Sequence, residues 1–154
     1  MLRLGGLCLL AICLLPACSS EAPDIRLPRL AGGELSLASR HGGPTLLVFF
    51  TTTCAPCVTE APTLAAFYPE FRRDGGEIVA VALAQDAPAR VADFAKRLRL
   101  PYPIVFDLKG EAARAYNVRA IPQAVLVDAR GRIVWERLGA LAMPQLRRLS
   151  EDAR

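Results

Sequence analysis

The sequence predicts an α/β fold in which a central mixed sheet is flanked by helices. Two continuous apolar runs, Thr45–Phe50 and 78–83, have the pattern of strands buried on both faces of a parallel sheet. Segments of helical spacing alternate with them, which argues for parallel strands joined by crossovers. Two further strand-like runs, 124–128 and 133–136, are joined by Ala129, Arg130 and Gly131, a tight hairpin turn that adds an antiparallel pair.

The remaining elements follow in order. Residues 27–30 and 35–37, separated by Ala31, Gly32, Gly33 and Glu34, read as an N-terminal β-hairpin. Gly42, Gly43 and Pro44 punctuate the chain before the first long strand. A helix is expected over 56–71, with Leu64, Phe67 and Phe71 on one face; Asp74, Gly75 and Gly76 stop it, and Pro62 inside it should kink it. Pro88–Leu98 reads as an amphipathic helix, 104–106 as a strand and 111–116 as a short helix. Residues 144–153 form a closing helix with Pro144 in its first turn.

A length of 154 residues fits one core rather than two. With 53% hydrophobic and 22% charged residues the chain has enough apolar surface to bury and no disordered composition. The net charge of +4 is spread along the chain, which argues against nucleic acid as a partner. The local pair Arg147 and Arg148 reads as a solvated helix face.

Arg3 followed by the apolar stretch 4–15 and then Pro16, Ala17 and Cys18 has the layout of a secretory signal. The stretch is too short for a retained span, which needs about 20 residues. Leu15, Pro16, Ala17 and Cys18 resemble the lipobox of bacterial lipoproteins, which makes 1–17 the signal peptide and Cys18 the acylated first residue. Ordinary cleavage nearby is the alternative. Residues 18–28, polar and carrying two prolines, are then expected to be a mobile tether to the domain 29–154. Ser19 after the cysteine resembles lipoproteins sent to the outer membrane, so a periplasmic, membrane-anchored protein is expected.

Of five cysteines, Cys8 and Cys13 leave with the signal and Cys18 carries lipid, so Cys54 and Cys57 can pair only with each other. A bridge over a two-residue spacer closes almost no loop and stabilises little, which points to chemistry rather than stapling. Placed between a strand and a helix, Cys54 sits where unpaired amides and the helix dipole favour a thiolate. Cys57, one turn inward, would resolve the mixed disulfide, and the cycle needs no cofactor. The alternative of half a zinc site lacks ligands, His41 being the only histidine.

The run Val48-Phe-Phe-Thr-Thr-Thr-Cys-Ala-Pro-Cys-Val-Thr-Glu-Ala-Pro62, with Val118-Arg-Ala-Ile-Pro-Gln-Ala-Val-Leu-Val-Asp128, resembles the TlpA/ResA group of thioredoxin-like proteins. The resemblance implies a thioredoxin-like fold with a βα insertion over 85–107. It implies that Pro122 is cis and lies against the cysteine pair, leaving the Ile121 backbone to bind an extended substrate beside the rim residues Thr53, Ala55 and Pro56. It also implies a proton-transfer role for Glu60, for which a solvated helix carboxylate is the alternative. Thr53 stands where the group usually carries Trp, a departure that bears on substrate choice and potential.

The expected activity is thiol-disulfide exchange, as a protein disulfide reductase fed by a transmembrane electron donor of the DsbD/CcdA type. Substrates such as apocytochrome c or a metallochaperone are implied, although the same pair would serve as an oxidant at a different poise. Two other readings compete. A copper-delivery protein resembling the Sco group would need Cys-x-x-x-Cys and a late His. A peroxiredoxin would need Pro at position 47, where Leu47 stands, although Thr51 and Cys54 keep the Thr-x-x-Cys spacing.

Overall fold

The computed structural model describes residues 20–38 and 42–153. The expected signal peptide, the acylation site Cys18 and His41 lie outside the described residues.

A two-stranded hairpin, β1 (Arg26–Pro28) and β2 (Glu34–Ser36), precedes the main sheet. That sheet contains β3 (Thr45–Phe50), β4 (Glu77–Leu83), β5 (Ile104–Asp107), β6 (Gln123–Val127) and β7 (Ile133–Leu138), in the order β5-β4-β3-β6-β7. β3, β4 and β5 are parallel, while β6 and β7 run antiparallel, so the sheet is mixed as expected. The fold is thioredoxin-like. The helices are α1 (Ala55–Arg73), α2 (Pro88–Leu98), α3 (Glu111–Ala115) and α4 (Met143–Asp152).

The alternation of β3 explains why the central run is apolar throughout. Leu46, Val48 and Phe50 enter a core with Leu64, Phe67 and Phe71 of α1, Phe94 of α2 and Leu146 of α4. Leu47 and Phe49 enter the opposite core with Ala112 of α3, Tyr116, Leu27 and Leu37. Both faces of a strand that pairs with β4 on one side and β6 on the other are thus withdrawn from water. The expected insertion is present: α2 covers one face and β5 supplies the parallel edge strand next to β4.

Two expectations change. Helix α1 is longer at both ends than the predicted 56–71 and contains Pro69 as well as Pro62, both on its exposed side. Residues 20–28 are the larger correction, because they are packed down rather than a loose tether. The Ala22 amide donates to the Gly131 carbonyl at 2.9 Å and the Ile133 amide to the Ser20 carbonyl at 2.8 Å, along the outer edge of β7. Further on, the Leu30 amide donates to the Ile104 carbonyl at 2.9 Å, along the outer edge of β5. The segment therefore straps the sheet from one edge to the other, burying Ala22 and Leu27 and accepting the Tyr116 hydroxyl on the Pro23 carbonyl at 2.9 Å. Its polar composition hid this, because the apolar residues that hold it down are few and the remaining bonds come from backbone, which composition does not report. It also blunts both sheet edges, which would otherwise present unpaired strands.

Candidate active site

The site grows out of the end of β3. After Phe50 the chain passes through Thr51, Thr52 and Thr53, and Cys54 becomes the N-cap of α1 with extended backbone. The Cys57 amide, one of those that helix geometry leaves without a partner, points at Cys54 Sγ at 3.3 Å. Cys54 and Cys57 form a disulfide, with Cα atoms 5.3 Å apart. Their exposures differ: Cys54 is half-buried, whereas Cys57 is 3% exposed beneath the first turn. No acidic residue occupies that first turn, where one would offset the positive end of the helix dipole.

The approach loop is held from the β4 side. Thr52 donates both its amide and its hydroxyl to the carboxylate of buried Asp86, the hydroxyl at 2.8 Å to Oδ1. Sequence reasoning missed Asp86, since a lone acid after a strand gives no sign of a partner 34 residues earlier. Thr53, Ala55 and Pro56, named at the sequence level as rim residues, are exposed around the disulfide.

On the other side, the Ile121–Pro122 peptide bond is cis. Phe49 pairs with Gln123 across β3 and β6, so Pro122, one residue earlier, stands at the same end of the sheet as residues 51–53. The Pro122 carbonyl accepts the Gly139 amide at 2.8 Å, while among the described residues no partner takes up the Ile121 amide or carbonyl. A free backbone edge beside a cysteine pair can receive one extended strand of another chain.

Below the pair lies Glu60, 3% exposed. Its Oε1 accepts the Leu141 amide at 2.6 Å. Burial pushes the carboxyl up from its ordinary 4.5 to about 7, opposed by that hydrogen bond. Glu60, Cys57, Ala61, Phe94 and Tyr102 help line a cavity of about 10 Å³, room for roughly one water. The buried Tyr102 hydroxyl donates to the Ala61 carbonyl at 3.4 Å. Burial and the nearby Glu60 carboxylate both raise its pKa, so it stays protonated at neutral pH. Neither Tyr102 nor Leu141 was foreseen; Leu141 acts through its amide, which side-chain chemistry cannot reveal. No group of three or more His, Cys, Asp or Glu among the described residues could hold a metal ion.

The sequence model of the AhpC/TSA family matches residues 18–136. The chain belongs to the AhpC/TSA family. Among curated relatives, the chain is 37% identical over 117 residues to thiol-disulfide oxidoreductase ResA of Geobacillus kaustophilus, covering 76% of this chain and 67% of that protein. It is 32% identical over 132 residues to sporulation thiol-disulfide oxidoreductase A of Bacillus subtilis, covering 84% and 80%. A solved structure of a thioredoxin-family thiol:disulfide interchange protein from Chlorobium tepidum matches the fold with a TM-score of 0.81, at 24% identity and over 90% of this chain and 99% of that one. These relatives bear out the resemblance read from the cysteine and Ile121–Pro122 motifs. This AhpC/TSA member is a thiol-disulfide oxidoreductase with its cysteine pair at bonding distance.

Proposed function

We propose that the chain is an exported protein disulfide reductase, anchored through an acylated Cys18 and working in the periplasm, with the outer membrane as the favoured site. The observation that carries the chemistry is the asymmetry of the pair: Cys54 is accessible and caps a helix, while Cys57 is buried over a carboxyl.

In the reduced protein the helix start favours Cys54 as a thiolate. That thiolate attacks one sulfur of a substrate disulfide, and the other sulfur leaves as a thiolate and takes a proton. Ile121 and the rim residues Thr53, Ala55 and Pro56 hold the extended substrate during this step. Glu60, ionised, accepts the Cys57 proton through a water in the small cavity, and the Cys57 thiolate then displaces the substrate from Cys54. Two electrons have passed to the substrate, leaving the Cys54–Cys57 disulfide. A transmembrane dithiol donor of the DsbD/CcdA type returns them. The expected substrates are disulfide-bearing proteins such as apocytochrome c or a metallochaperone.

In an insulin-reduction assay Cys54→Ser should abolish turnover, and Cys57→Ser should accumulate a substrate-linked species on non-reducing gels. An active Cys54→Ser protein would refute the assignment. Equilibration with glutathione buffers tests the direction: a reductase should have a potential more negative than about −220 mV, and a value near that of strong oxidants would reverse it.

A further inference from the structure

We propose that the β7 side of the molecule is a membrane-contact surface, seated on the phospholipid bilayer that receives the acyl chains. The inference rests on the reading of Cys18 as the acylated residue, and it follows from where the strap begins. The Ser20 carbonyl is bonded to the Ile133 amide, and Glu21 bridges Arg132, so the chain is fixed to the outer edge of β7 from its first described residue. Only Ser19 separates Ser20 from Cys18. Two residues reach at most about 7 Å. An anchor on so short a leash cannot leave the domain free to tumble; it brings the β7 edge to the lipid.

The surface there suits that neighbour. Val134 and Leu138, 46% and 61% exposed, are two of the three exposed large apolar side chains among the described residues, and both lie on β7. Glu136 and Leu138 share one face of the strand by alternation, while Val134 stands at the β-bulge opposite Leu126 and Val127. Glu136 and Leu138 line a concavity of about 310 Å³ together with Arg119 and Arg137, whose guanidinium groups can pair with lipid phosphates. Arg130, exposed in the turn before β7, adds a further cation.

The arrangement bears on the chemistry. Leu138 pairs with Gln123, the neighbour of Pro122, so the contact surface runs up to the site end of the sheet. β3, which leads to Cys54, lies two strand positions from β7, about 10 Å. A dithiol carrier embedded in the bilayer could therefore meet Cys54 without the domain swinging away from its anchor.

The test uses the full chain, expressed with its own N-terminus and reconstituted into phosphatidylethanolamine/phosphatidylglycerol vesicles. The vesicles contain a phospholipid with a photoreactive acyl chain. The mass of the N-terminal peptide is read first, then the positions of lipid crosslinks. Crosslinks in residues 128–139 should exceed those in 88–109 by roughly fivefold or more, as expected for a surface resting on the lipid. Val134→Asp with Leu138→Asp should remove that excess while leaving insulin reduction in solution unchanged. An acylated chain with crosslinks spread evenly, or concentrated on 88–109, overturns the inference alone. An unacylated N-terminus overturns the lipoprotein reading and the inference together.

Discussion

Glu60 shows what one burial does to one carboxyl. Its pKa in the folded protein, about 7, lies above the 4.5 of a solvated chain. The folded state thus holds this proton more tightly than the unfolded state. The sign follows: the contribution of Glu60 to stability is fully present below about 4.5 and is lost as pH rises through about 7, where the buried group must ionise. At about 1.4 kcal/mol per pH unit of displacement the loss is roughly 3 kcal/mol. Glu60→Gln should therefore gain about that much over the parent at pH 8 and almost nothing at pH 4.5 in urea melts; a gain equal at both pH values would contradict it. The same variant should lose the inflection near pH 7 in the rate of the Cys57 step. Asp86 acts through hydrogen bonds, as the buried acceptor for two Thr52 donors. Asp86→Ala leaves the half-buried Thr52 donors without their acceptor and should cost about 1 to 3 kcal/mol, with slower exchange at Cys54, read by guanidinium melts and stopped-flow thiol assays. Cys54 and Cys57 were legible because two sulfurs in that spacing have few other uses. Asp86 and Tyr102 were not, because their partners are brought together only by the sheet.

Whole elements were easier to read than single contacts. The apolar runs of β3 and β4 could be recognised without a partner, since both faces had to be buried. α2 was bounded by Pro88 at its start. The strap was misjudged for the reason that makes such segments hard: its binding is done by amides and carbonyls along two strand edges. Gly43 illustrates how tightly elements meet at the end of the sheet away from the site. A Cβ there would lie 2.1 Å from the Gly75 carbonyl oxygen in the turn between α1 and β4. Gly43→Ala must push two backbones apart and should cost about 1 to 3 kcal/mol or more. Thermal melts check this, and because the clash is remote from the cysteines, insulin reduction below the melting range should stay near the parent level.

At the scale of the whole molecule, the strap means that truncation at residue 29 removes a structural part. Leu27→Ala alone should cost about 2 to 5 kcal/mol, and a chain beginning at residue 29 should be less stable than that variant by guanidinium melts; equal stability to the parent would show that the strap is idle. The parts of the site are unevenly spaced along the chain. Its two sulfurs are three residues apart, but Thr52 and Asp86 are 34 apart and Glu60 and Leu141 are 81 apart. Contacts of such long range form late, after the loops between them have closed. During synthesis, Cys54 and Cys57 therefore leave the ribosome as ordinary thiols, able to react with any oxidant at hand. The proline, the carboxyl and the small cavity that surround them come together only once the last quarter of the polypeptide has been made.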